Sequence, residues 1–236
     1  MREPGKLSLF ITGTDTGVGK TLVSCALLHQ LALRYPRVIG MKPVAAGTSR
    51  VNGVQVNDDV LALRAASNCA TPPELDNPVS LADPVSPHIA ARRSGTCIDI
   101  GHIVACHQAL LHRADAIVVE GAGGFMVPLS DDDAGSSTGA DLAQALQLPV
   151  VLVVGMRLGC LNHALLTAEA ISARGLTLAG WVANQIDPDM AAQQENLLFL
   201  QRRLGAPLLA KVGWQARPDP TNMAMDLPAS WRSLHG

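Results

Sequence analysis

The 236-residue chain predicts an α/β fold, a parallel sheet covered by helices on both faces, because short apolar runs alternate along it with stretches of helical spacing. Six runs have the length and continuity of strands buried on both faces: residues 7–11, 38–41, 116–119, 150–154, 178–183 and 208–212. The second observation is Val23, Leu27 and Leu31 on one helical face directly after the first run, with Ala26 beside them. Neither an internal repeat nor a long linker interrupts the pattern, so residues 1–236 read as a single domain.

Between the first strand and that helix stands Gly13-Thr14-Asp15-Thr16-Gly17-Val18-Gly19-Lys20-Thr21. Strand, glycine-rich loop, Gly-Lys-Thr and amphipathic helix in this order describe a P-loop NTPase-like start. The backbone N–H groups of Gly17, Val18 and Gly19 can surround ATP phosphates, Lys20 can reach the β and γ phosphates, and Thr21 can ligate Mg²⁺. The strict pattern is missed by one residue, since Thr14 stands where its first glycine would be. Thr16 joins Lys20 and Lys42 as a candidate catalytic residue.

The second strand ends in Gly40-Met41-Lys42-Pro43, which puts Lys42 at the carboxyl edge of the sheet, where ligands bind in such folds. A lone lysine there is often simply solvated; beside a phosphate loop it can neutralise charge developing during phosphoryl transfer. The third run continues into Glu120-Gly121-Ala122-Gly123-Gly124, a carboxylate followed by glycines that let backbone approach a ligand. Asp58 and Asp59 precede a helix, where either could be a helix cap or a metal ligand. Thr21, Glu120 and one of these acids would suit Mg²⁺ carried by ATP.

Ser86-Pro87-His88 offers a serine and a histidine, but no GxSxG elbow and no metal-ligand spacing surround them. Further on, Gly159 permits close approach, and Leu161, Leu165 and Ala168 space a helix that begins there. Residues 131–140 and the tail from Gln215 look irregular, the first rich in Asp, Gly and Ser, the second holding three prolines before Ser230.

Bulk properties exclude several classes. No apolar run approaches the roughly 18 residues needed to span a bilayer, and the N-terminal apolar stretch leads into the glycine-rich loop instead of a cleavage site. Five scattered cysteines fit reduced thiols in a cytoplasmic protein. With a net charge of −2 and no Lys/Arg cluster beyond two in a row, nucleic-acid binding is not expected, nor is a membrane partner.

GTDTGVGKT, GMKPVAAG, NDDVLAL, SPHIAA, VEGAGG with PLSD behind it, LVVGMRLGCLNHALLTAEAI and LAGWVAN together resemble the dethiobiotin synthetase family, in order, from about Phe10 to Ile186. The resemblance implies 7,8-diaminopelargonic acid as substrate, carboxylated at one amine to a carbamate. ATP would phosphorylate the carbamate, and the second amine would close the cyclic urea. It implies phosphate and carbamate contacts for Lys20 and Lys42, and Mg²⁺ held by Thr21, Asp59 and Glu120. Asn184 would recognise adenine. Gly159, Cys160, Leu161 and Asn162 match a helix start that receives the substrate carboxylate of the neighbouring subunit, which implies a homodimer with shared sites.

The chain departs from the family at Gly17, where a glutamate is common, at Ala46 for a serine, and at Val212-Gly213-Trp214, where an Ile-Pro pair is usual. Residues 131–140 look like an insertion. Two other classes share such a nucleotide core. A ParA/MinD-like switch would carry a signature lysine where Asp15 stands, and a cobyrinate-type amidoligase usually adds a glutamine-hydrolysing domain for which 236 residues leave no room.

Overall fold

The computed structural model describes residues 6–51, 54–132 and 135–231. The first half of the chain runs β1 (Leu7–Gly13), α1 (Lys20–Ala32), β2 (Val38–Met41), β3 (Val44–Ala46), β4 (Ser49–Val51), β5 (Val54–Val56), α2 (Asp58–Ala66), α3 (Pro73–Asp76), β6 (Val79–Leu81), α4 (Pro87–Ser94) and α5 (Ile100–Leu111). The second half runs β7 (Ala116–Gly124), β8 (Pro128–Asp132), β9 (Gly135–Thr138), α6 (Gly139–Leu146), β10 (Val150–Met156), α7 (Cys160–Ala173), β11 (Leu178–Gln185), α8 (Gln193–Arg203) and β12 (Leu208–Val212).

The six apolar runs become six parallel strands of one sheet, in the order β12–β11–β10–β1–β7–β2. Side chains alternate across it, which is why successive apolar residues all find cover. Leu9 and Ile11 of β1 join Val23, Leu27 and Leu31 of α1 on one face, whereas Phe10 joins Ile103 and Leu110 of α5 on the other. Leu27 and Leu31 are fully buried, each contributing roughly 2 kcal/mol by leaving water. A third cluster packs Leu152, Val154 and Trp181 beneath α7 and α8. No helix among the described residues is long and apolar enough to cross a membrane.

From β1 the chain first crosses to β2 and later returns to β10 on the other side, so the carboxyl end of β1 lies where the strand order diverges. That end carries the phosphate loop. Gly13 is required at the turn, because a Cβ there would stand 2.6 Å from Val18 Cγ2.

Two expectations need correction, and a third is borne out with an addition. Residues 131–140 are not an irregular stretch: β8 and β9 pair as an antiparallel hairpin, and a capping box between Thr138 and Asp141 starts α6; residues 133 and 134 lie outside the described residues. The tail from Gln215 is irregular as expected, apart from short 3-10 turns at Pro220–Asn222 and Ala229–Trp231, but it is anchored, with Met223, Met225 and Trp231 buried in the α1 cluster. Neither Asp58 nor Asp59 caps α2; Asn57 does, its side chain accepting the Val60 N–H.

Candidate active site

The loop from Gly13 to Gly19 is held against β10, since the Thr14 N–H donates to Val153 O at 3.0 Å and the Gly155 N–H to Thr14 Oγ1 at 3.3 Å. Gly19 has φ +90°, and a Cβ there would lie 2.2 Å from Asn184 Nδ2, so only glycine fits. α1 begins at Lys20 with no side-chain cap and no acid in its first turn, leaving its first amides for an anion. Lys20 Nζ donates to Asp15 O at 3.1 Å. Burial, and after it the neighbouring Lys42, brings the Lys20 pKa down to about 8.

Lys42 at the end of β2 reaches Glu120 Oε1 at 2.6 Å and Asp59 Oδ2 at 2.8 Å. The Thr21 hydroxyl approaches the same two acids, Asp59 Oδ1 at 2.8 Å and Glu120 Oε1 at 3.0 Å. Burial alone would pull the Lys42 pKa down, but Glu120 and Asp59 outweigh it and hold the pKa above the usual lysine value. Asp59 is the mirror case: burial would raise its pKa, and Lys42 with Thr21 brings it below the usual carboxylate range.

Acceptors outnumber protons in this cluster. One threonine hydrogen faces two carboxylates, and Glu120 Oε2 is buried without a hydrogen-bond partner among the described residues. A hydroxyl, two carboxylates and an orphaned oxygen fit a hard divalent cation such as Mg²⁺. No group of three or more His, Cys, Asp and Glu that could hold a metal occurs among the described residues, so such an ion would need phosphate oxygens to complete its shell.

A cavity of about 650 Å³ opens over this cluster, lined among others by Thr16, Gly17, Gly19, Lys20, Thr21, Lys42, Asp59 and Gly123. Thr16, Gly17, Lys20, Thr21, Lys42, Asp59 and Glu120 thus come together as the sequence suggests. Other candidates sit behind the wall. Gly121 packs against Phe10, and Asn184 donates to Val18 O at 2.8 Å at the back of the loop. Gly159, Cys160, Leu161 and Asn162 do not line the cavity at all. The Gly159 N-cap has φ +94°, and Cys160 opens α7 as the spacing predicts.

Sequence reasoning missed the opposite wall, built by Pro84, Val85, Ser86 and Pro87 where the chain enters α4. The SPH motif was its signal: Ser86 makes no cap bond, and its hydroxyl sits 3.0 Å from His88 Nδ1. Also missed was an ion pair between Arg157 and Asp15 at 2.6 Å.

A phosphate loop on a parallel sheet, with two buried lysines and a hydroxyl-carboxylate trio at its mouth, defines a P-loop nucleotide-dependent protein equipped for phosphoryl transfer. Residues 8–222 match a family described as an AAA domain. The ATP-dependent dethiobiotin synthetase BioD of Aromatoleum aromaticum (strain DSM 19018 / LMG 30748 / EbN1) is 53% identical over 229 residues, covering 96% of this chain and 98% of that protein. The chain belongs to the dethiobiotin synthetase family, and the match runs well past Ile186, where the motifs thin out.

Solved structures show the same fold at low identity. The signal recognition particle 54 kDa protein of Aeropyrum pernix K1 in complex with GDP has a TM-score of 0.54 at 12% identity, over 96% of this chain and 45% of that one. This chain therefore spans less than half of that protein. The MinC:MinD cell division complex of Aquifex aeolicus gives a TM-score of 0.53 at 15% identity, over 89% of this chain and 82% of that one.

Proposed function

We propose that this chain closes the ureido ring of dethiobiotin from 7,8-diaminopelargonic acid, CO₂ and Mg-ATP, working as a homodimer. As a member of its family it is an ATP-dependent ligase of biotin biosynthesis. The observation that carries the finer reading is the buried Lys42 shared between Asp59 and Glu120, the same two acids that the Thr21 hydroxyl approaches.

One amine adds to CO₂ and loses a proton, giving a carbamate. A carbamate oxygen then attacks the γ-phosphorus as ADP leaves, and the second amine displaces phosphate from the carbonyl carbon. No protein nucleophile is needed; positioned cations are. Lys20 and Lys42 hold the charge that develops on the transferring oxygens, and Thr16, Gly17 and Gly19 border the space the phosphates would fill. Thr21, Asp59 and Glu120 would hold Mg²⁺, which when bound neutralises phosphate charge. Asn184, beside the loop, is the proposed adenine contact.

The carboxylate end of the substrate is assigned to the α7 start, around Gly159, Cys160, Leu161 and Asn162, of the neighbouring subunit. Two features favour sharing. That start lies outside the chain's own cavity, and Leu158 beside it is 92% exposed, with Leu166 on α7 56% exposed. The test is formation of a cyclic urea from diaminopelargonic acid, bicarbonate and Mg-ATP by the purified chain. A companion measurement titrates substrate onto an interface variant shown by sedimentation to be monomeric. Lost substrate binding with retained ATP binding is expected; unchanged substrate affinity in a proven monomer overturns the shared site.

A further inference from the structure

Asp15 is engaged from three directions. Its Oδ2 pairs with Arg157 Nη2 at 2.6 Å, its Oδ1 accepts the Thr16 N–H at 2.7 Å, and its carbonyl accepts from Lys20 Nζ at 3.1 Å. The Thr16 amide is thus spent inside the loop, and the donors left for a phosphate begin at Gly17. A carboxylate in a phosphate loop repels its ligand unless its charge is offset. Arg157 supplies that offset and fixes the direction of the carboxylate.

Arg157 also faces the other way. It stands in the short turn between β10 and α7, and its own carbonyl accepts the N–H of Cys160, the first amide of α7, at 3.0 Å. One residue therefore touches the nucleotide loop with its side chain and the helix start with its backbone, across 142 positions of sequence.

We infer that Arg157 is a positioning residue that couples occupation of the phosphate loop to the affinity of the α7 start for the substrate carboxylate. The inference rests on the shared-site reading of the previous section, and on that reading it links the nucleotide of one subunit to the substrate of its partner. Nucleotide that orders the loop holds Asp15, Asp15 holds Arg157, and the α7 start is then already ordered when substrate arrives, so the coupling is positive. Linkage makes it reciprocal: substrate tightens nucleotide by the same factor. Arg157 and Asp15 have side chains 44% and 47% exposed, and half-exposed pairs are weak, so the factor is about two- to fivefold.

The experiment titrates 7,8-diaminopelargonic acid calorimetrically into the full chain, with and without Mg²⁺ and a non-hydrolysable ATP analogue. Wild type should bind substrate about two- to fivefold more tightly when loaded. In R157Q and in D15N that ratio should fall to near one, the double variant should change it no further, and R157K should restore part of it. A wild-type ratio of one, or a ratio in R157Q equal to that of wild type, overturns the coupling. Cyclic urea formation by wild type is followed in parallel. The monomeric interface variant is titrated alongside: unchanged substrate affinity there would remove the shared-site reading on which the coupling rests, whereas lost affinity there together with a wild-type ratio of one removes the coupling alone.

Discussion

Two buried polar groups lie toward opposite ends of the same strand. Near the amino end of β1, His107 Nε2 lies 3.2 Å from Ser8 Oγ, and at the carboxyl end Ile11 is in register with Glu120. Both groups are buried: His107 is 4% exposed and Glu120 fully buried. Their outcomes differ. Burial pushes the His107 pKa down to about 4, so at neutral pH the ring is uncharged and one neutral partner suffices. Lys42, equally buried, keeps its charge because two carboxylates face it. Burial therefore removes a charge only where pairing does not restore it, and the paired end is the one with a surplus of acceptors turned toward a cavity.

Unpairing the site gives the largest expected effect. Lys42→Gln should lower kcat for cyclic urea formation by roughly 10²–10³-fold. It should also destabilise the fold by about 3–5 kcal/mol, since Glu120 is left as a buried charge without its closest partner. Adding Glu120→Gln should recover most of the stability in urea unfolding and none of the turnover. A double variant as unstable as the single one would show that pairing is not what keeps this charge buried.

The opposite end is tested by pH. The folded pKa of His107, about 4, lies below its value near 6.5 in the unfolded chain, so protons bind the unfolded state first. Nothing is lost above pH 6.5; as pH falls toward 4, stability drops by about 1.4 kcal/mol per unit, about 3 kcal/mol in all. His107→Gln should flatten that part of the stability profile between pH 6.5 and 4.5. Parallel slopes for the two proteins would contradict the assignment.

A smaller effect separates neighbouring acids. Glu120→Asn is too short a probe, so Glu120→Gln and Asp59→Asn are compared: each should raise the half-saturating Mg²⁺ by about tenfold or more. Asp58→Asn should leave it near wild type, because Asp58 is exposed while Asp59 contacts both Thr21 and Lys42. Equal shifts at Asp58 and Asp59 would undo the choice of ligand.

The paired end was legible in the sequence to an unusual depth. Lys42 and Glu120 each follow an apolar run, Lys20 follows the glycine-rich loop after another, and a parallel sheet brings all carboxyl ends to one edge. What was not legible depends on distance or on competition. Arg157 and Asp15 meet only because β10 lies beside β1, an adjacency that no local pattern encodes. Asn57 outcompeted two aspartates as the cap of α2, and its amide group is held between Ala46 O and Gly47 O, a tertiary contact. Residues 131–140 carry turn-forming composition, and a hairpin satisfies such composition as well as an irregular loop does.

The anchored tail braces the helix of the phosphate loop. Gln30 Nε2 donates to Met223 O at 3.4 Å, the Tyr35 hydroxyl donates to Trp231 O at 3.1 Å, and Met223, Met225 and Trp231 bury in the same cluster as Leu27 and Leu31 of α1. α1 is the helix that opens at the phosphate loop. Part of its apolar cover is therefore supplied by residues 223–231, some two hundred positions further along the chain. A substitution that loosens Met223, Met225 or Trp231 would thus bare a flank of the very helix that opens at the phosphate loop, so residues far from the cavity help to hold its floor.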